Sequence, residues 1–318
     1  VLTVIVPASS ANIGSGFDSF GVALSLYNKY QLLGLLPAKR YDIDTVGEGG
    51  KGLASPESNL LIRSYEAAMK RFDVPLVGLK LRSHNAIPLA RGLGSSASAV
   101  VGGVVLANVI GKINLPKEKL LPIMVELEGH PDNVVPSCIG SFVISSWDGK
   151  DVKFVQLPPF REKVKVVVAV PDVTVDTKQA REVLPRDVSL QDAVFNLSRA
   201  ALFAASWMTG KLENLPWAME DKLHQPYRAK LFPGGEEILE RVKSAPGCLG
   251  AAISGSGPSV LAFVKGNPTR TAKEMCSVFT EKGLRSRFFV LDVDQEGARI
   301  KTSETNISME ADKCPALS

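Results

Sequence analysis

A mixed α+β fold follows from three features of this 318-residue sequence: short apolar runs of strand character, longer stretches of helical spacing between them, and Gly or Pro at the joins. Strand-like runs rich in Val, Ile and Leu fall at 2–7, 29–35, 41–46, 78–83 and 139–146, and VKVVVAV at 164–170 has the unbroken apolar character of a buried strand. Helical spacing appears at 57–72, where Leu60, Leu61, Ala67, Ala68 and Phe72 share a face, and at 189–208, which Ser189 opens as an N-cap. A small-residue apolar helix is read over 95–112. Another spans 117–128, where Pro122 predicts a kink or a later start. Residues 47–52 form a Gly-rich turn, and Pro158 and Pro159 punctuate the middle. Composition best permits a boundary within 151–163, giving halves at 1–157 and 158–318. The polar stretch after residue 302 reads as loosely ordered.

At 45% hydrophobic and 22% charged residues the chain can bury a substantial core without covalent staples. Cys138, Cys248, Cys276 and Cys314 are too scattered for a zinc site or a disulfide framework, so a reducing cytoplasm is the simplest setting. The formal charge of +4 comes from Lys and Arg interleaved with Asp and Glu, which argues against a nucleic-acid partner. The opening LTVIVP lacks the layout of a secretory signal, and no run approaches the ~20 apolar residues of a membrane span.

Four elements carry chemistry. In Pro88-Leu89-Ala90-Arg91-Gly92-Leu93-Gly94-Ser95-Ser96-Ala97-Ser98, glycines at 92 and 94 let backbone amides turn inward and two serines lead into the helix. Unpaired amides and the positive end of the helix dipole suit a triphosphate, and the Ser96 hydroxyl suits Mg²⁺. The same residues also fit a plain cap on a buried helix, and neither a Walker nor a Rossmann pattern is present. The second element, PASSANIGSGFD at 7–18, sets Asn12 and Asp18 in a small-residue loop after the first strand, where a polar ligand or a simple Asx turn is accommodated. The third, SGSGPS at 254–259, is a hairpin turn or a close-approach loop. The fourth, EGHPDN at 128–133, offers a hard carboxylate for Mg²⁺ and an Asp132–Asn133 pair able to orient or deprotonate a hydroxyl, with His130 read as a loop hydrogen-bonder.

Taken in order, PxxxGLGSS at 88–96 and SGxGPS at 254–259 resemble the GHMP kinases, across nearly the whole chain. VPASSANIGSGFDSFG at 6–21, EGHPDNVVP at 128–136, TKQAR at 177–181 with Leu184-Pro185, and HQPYRAKL at 224–231 resemble the homoserine kinases within that superfamily. The resemblance implies an N-terminal α/β half with a left-handed βαβ crossover packed on a ferredoxin-like C-terminal half. It implies ATP held along Pro88–Ser98 with Asn59 toward the adenine, and Mg²⁺ on Ser96 and Glu128, with Glu126 as the alternative to the latter. It implies L-homoserine, an acceptor with a carboxylate and an ammonium, on Asn12, Asp18, Asn133, Arg181 and Arg228. Asp132, Asn133 and Thr177 then flank the transferred phosphate, with the identity of any base open. A homodimer acting in threonine biosynthesis is the family expectation. Another GHMP kinase acting on mevalonate or shikimate, or a silent sensor on the same fold, is the alternative.

Overall fold

The computed structural model of the chain describes residues 1–50, 58–160 and 162–302. The tail read as loosely ordered, and the end of the turn at 47–52, lie outside those residues. In chain order the N-terminal part comprises β1 (Leu2–Ala11), β2 (Phe20–Leu36), β3 (Tyr41–Gly47), α1 (Leu60–Arg71), β4 (Gly78–Asn85), α2 (Ser95–Ile110), α3 (Lys117–Glu128), α4 (Pro131–Ile139), β5 (Phe142–Trp147) and β6 (Val152–Leu157). The C-terminal part comprises β7 (Val164–Pro171), α5 (Thr177–Glu182), α6 (Leu190–Thr209), α7 (Leu215–Ala218), α8 (Gln225–Arg228), α9 (Gly235–Lys243), β8 (Cys248–Ile253), β9 (Val260–Lys265), α10 (Pro268–Glu281), β10 (Ser286–Leu291) and β11 (Arg299–Thr302).

The first sheet runs β11-β1-β2-β4-β3, with β5 pairing both β2 and β6. Its one parallel pair, β3 with β4, is bridged by α1, since parallel neighbours need a crossover. Asn59 caps α1 by accepting from the amides of Leu61 and Ile62 at 3.0 and 3.4 Å. Beside it α2 is buried along almost its whole length from Ala97 to Ala107, as an all-round apolar helix must be. The second sheet, β10-β7-β9-β8, is wholly antiparallel. With α9 and α10 packed on it, its βαββαβ order is that of a ferredoxin-like half. β11 returns the chain to the edge of the first sheet beside β1.

A core shared by the two sheets sets their relation. It gathers Ile13, Phe20 and Phe142 from one side and Phe203, Trp207 and Phe263 from the other. Burying each large side chain there contributes about 1.5–3 kcal/mol. The Trp207 indole N–H satisfies itself on the Pro158 carbonyl at 2.8 Å.

Several elements depart from the sequence expectation. α3 starts at Lys117 and runs through Pro122, which forfeits one early backbone bond while Leu120, Leu121, Ile123, Met124 and Val125 are buried. The expected strand at 139–146 begins at Phe142, because residues 131–139 form α4 with Pro131 at its start. β2 begins at Phe20, well before 29. Among the described residues no helix is long and apolar enough to cross a membrane.

Candidate active site

Between the halves lies a cavity of about 400 Å³. Its floor is the start of α2. Gly92 and Gly94 have φ of +69° and +67°, and a Cβ on either would fall 2.0 Å from the Ser254 carbonyl or 2.1 Å from Ser9 Oγ. Only glycine admits both the left-handed turn and that approach. Gly94 caps α2 without a side-chain hydrogen bond, and the first amide to reach back is Ser98 N, on Gly94 O at 2.9 Å. The amides of Ser95, Ser96 and Ala97 therefore have no intrahelical acceptor and form, with the helix dipole, an anion cradle. Arg91 anchors the loop sideways, donating to Pro171 O, Leu89 O and Asp172 at 3.0–3.1 Å.

At the end of α3, Glu128 Oε2 accepts from Ser96 Oγ at 2.7 Å. Burial raises the Glu128 pKa above the ordinary carboxylate value, and the Ser96 hydrogen bond opposes this only in part. A hydroxyl and a half-buried carboxylate side by side at a helix N-terminus fit a hard cation that takes its remaining oxygens from phosphate and water. Glu126 turns away and pairs with Arg71 at 3.6 Å on the surface. Next to Glu128, buried Asp132 pairs with His130 Nδ1 at 2.6 Å. Burial opposes the charged imidazole, yet the Asp132 hydrogen bond and charge leave the His130 pKa raised. Asn133 accepts from Ser9 Oγ at 3.0 Å.

The opposite wall sets two guanidiniums around one carboxylate. Arg181 on α5 grips Asp18 with both terminal nitrogens at 2.8 and 2.9 Å, and this carboxylate raises its pKa against the effect of burial. Arg228 on α8 is only 2% exposed and spends its Nε and one Nη on the carbonyls of Ala180 and Gly255. Burial, then the nearby Arg181, lowers its pKa. Both guanidiniums lie over the Phe17 ring, at 5.7 and 5.1 Å. Asn12 is held by donating to Gly255 O at 3.1 Å and accepting from Asp18 N at 3.0 Å. Two guanidiniums against one carboxylate leave a net positive charge toward the cleft, which suits a carboxylate, while Asp18 suits an ammonium.

The cleft brings together Asn12, Asp18, Pro88, Ala90, Arg91, Gly92, Leu93, Gly94, Ser95, Ser96, Glu128, Asp132, Asn133, Thr177, Arg181 and Arg228. Asn59 and Leu89 instead line an adjoining cavity of about 320 Å³ that shares Leu60, Ala90, Ser95, Ser96 and Thr177 with the first. Ala97 and Ser98 line neither: both are fully buried inside α2, and the Ser98 hydroxyl meets Tyr30 Oη at 3.1 Å. Sequence reasoning missed Leu60, Arg63 and Leu127 in the cleft, and Asn28, Tyr30, Thr45, Ser83 and Asn85 in its neighbour. Each is an ordinary strand or helix residue with no local motif to mark it.

Two sheets of this topology, with an uncapped helix start facing a pocket lined by Asp18, Arg181 and Arg228, fit a small-molecule kinase of the GHMP type. The family models agree: "GHMP kinases N terminal domain" matches residues 59–141 and "GHMP kinases C terminal" matches 208–281. Homoserine kinase of Carboxydothermus hydrogenoformans is 43% identical over 83% of this chain and 86% of its own length. That of Halothermothrix orenii is 39% identical over 97% of this chain and 99% of its own length. The crystal structure of homoserine kinase from Cytophaga hutchinsonii superposes with a TM-score of 0.83 at 28% identity, covering 94% of this chain and 97% of that one. The chain belongs to the homoserine kinase family of GHMP kinases.

Proposed function

We propose that the protein transfers the γ-phosphoryl group of ATP to the side-chain hydroxyl of L-homoserine, giving O-phospho-L-homoserine and ADP on the way to threonine. The observation that carries this reading is Asp18, Arg181 and Arg228 lining one cavity with the start of α2. An acceptor's carboxylate takes the arginines and its ammonium takes Asp18, which aims the hydroxyl along the cleft at the phosphate cradle. Mevalonate and shikimate lack an ammonium and would leave Asp18 unmatched.

Amides 95–97 hold the β- and γ-phosphates, and Asn59 with its neighbours encloses the base in the adjoining cavity. Ser96 and Glu128 would hold Mg²⁺, which supplies charge neutralisation at the phosphates. Thr177 stands between the two cavities, and Asn133 holds the acceptor hydroxyl. Phosphoryl transfer passes through a loose transition state, so positioning and charge do most of the work. The hydroxyl proton leaves toward the buried Asp132–His130 pair.

We assign the activity to the cytoplasm, where ATP is supplied, and infer a homodimer. The apolar outer face of α6 supports the latter: Leu190, Val194, Leu197 and Met208 are 80%, 54%, 71% and 51% exposed. ADP release with Mg²⁺ and a panel of homoserine, mevalonate and shikimate tests the function. Homoserine-dependent release alone is expected; release with mevalonate or shikimate but not homoserine overturns it.

A further inference from the structure

Arg228 and Asp18 belong to opposite halves, and one side chain ties their two elements together. His224 immediately precedes α8, is fully buried, and accepts the Arg228 amide on its own carbonyl at 3.0 Å. Its Nε2 lies 2.8 Å from the Gly14 carbonyl in the loop that carries Asn12 and Asp18. A carbonyl only accepts, so Nε2 bears the proton, while Nδ1 is buried without a partner among the described residues. Burial lowers the His224 pKa, the Asp221 charge opposes this, and Arg228 adds to it, so the uncharged ring agrees with that tautomer. The ring stacks on Phe17 at 5.3 Å and 24°. Phe17 is the residue before Asp18 and the platform beneath both guanidiniums.

The loop needs such a tie. Asn12, Ile13 and Gly14 take φ of +69°, +47° and +73° in succession, and Asp18 takes +53°. A β-branched residue such as Ile13 is disfavoured there, and such backbone persists only where its surroundings over-determine it. Ser15 reinforces the attachment, donating to Ala218 O at 2.7 Å and accepting from Asn196 Nδ2 at 3.3 Å. The His224 contacts join the loop to the residue that opens α8, beside the stack of Arg228 itself over Phe17.

We propose that His224 is a positioning residue for the acceptor: its Nε2–H on Gly14 and its stack on Phe17 fix Asp18 against Arg181 and Arg228 at the spacing an amino acid requires. This rests on the homoserine reading of the cleft. The imidazole does not line the cavity, so its loss acts on the acceptor side through the Asp18 loop and α8.

The test is bisubstrate kinetics on the full chain with His224→Ala, His224→Gln, which keeps a donor at the Nε2 position, and His224→Phe, which keeps the stack. The Ala variant should raise the KM for homoserine about tenfold while the KM for ATP stays within about twofold. Gln should recover much of the loss. Equal rises in both KM values, or a fall in active fraction with homoserine KM unchanged, overturn the proposal. Should the Ala variant fail to fold by circular dichroism, the other two decide: both matching wild type overturns it, and a homoserine-selective defect in Phe that Gln lessens supports it. The wild-type assay separates the premises, because absent homoserine-dependent ADP release there removes the functional reading itself.

Discussion

At the scale of single residues the site holds charges on two different terms. The Asp18–Arg181 pair is bidentate but its side chains are 35% and 45% exposed, so it contributes little to folding and opens at small cost to admit a zwitterion. Glu128 is the opposite case. Burial puts its folded pKa above the unfolded value, so its charged form is disfavoured in the native state. Stability therefore falls as pH climbs from the ordinary carboxylate range through the raised value, and at neutral pH the ionised group is a net cost. Glu128→Gln should raise the melting temperature of the ligand-free protein by about 1–3 °C at pH 7.5. The same change should cut Mg²⁺-dependent turnover by about 10²-fold or more. Thermal melts from pH 4 to 8 check the sign: the advantage must shrink on acidification, and one that grows contradicts the burial account.

At the scale of elements, α6 stands apart. Leu190, Val194, Leu197 and Met208 recur on its outer face at helical spacing, and its Asp192 and Arg199 are engaged with Lys222 and Glu220 of the same chain. That leaves an apolar stripe suited to the same stripe on a second copy. Leu197→Glu, at a site 71% exposed, should leave the fold intact and convert a dimer to a monomer at micromolar concentration, read by light scattering. A wild-type monomer would refute the interface. The same helix shows when sequence is legible: Ser189 announces its start, and in the structure it accepts from the Asp192 amide at 3.0 Å. α4 was illegible because Pro136 argues locally against a helix, while the burial of Val134, Val135, Cys138 and Ile139 decides for one. The first half of β2 was hidden likewise: it is held between β1 and β5, and the β5 partners lie over 100 residues away.

At the scale of the molecule, the motifs were readable one by one and their convergence was not. Asn12, Asp18, Gly92–Ser96 and Glu128 come from one half, and Thr177, Arg181, Arg228 and Gly255 from the other. The shared aromatic core, with polar contacts such as Asp18–Arg181 and Asn12–Gly255, brings them face to face. Leu89 fell in a second cavity beside the α1 cap Asn59, and Ala97 and Ser98 in the core, because the contiguous motif 88–98 bends across three environments. The halves are also joined beside the phosphate loop, where Arg91 and Arg285 converge on Asp172 at 3.1 and 3.0 Å. Asp172 is 53% exposed on its side chain, so the ion pairs themselves are worth at most about 1 kcal/mol to folding. Their effect is on the loop, since Arg91 sits directly before Gly92 and fixes the turn that leads to the free amides at the start of α2, the proposed seat of the phosphates. Asp172→Ala should therefore raise the KM for ATP several-fold, leave the KM for homoserine within about twofold, and shift the melting temperature little. Arg228→Ala should do the reverse to the two KM values, about tenfold or more for homoserine. Paired kinetics on the two variants test whether the cleft is two separable subsites on two halves: parallel losses for both substrates in both variants would mean that it behaves as one.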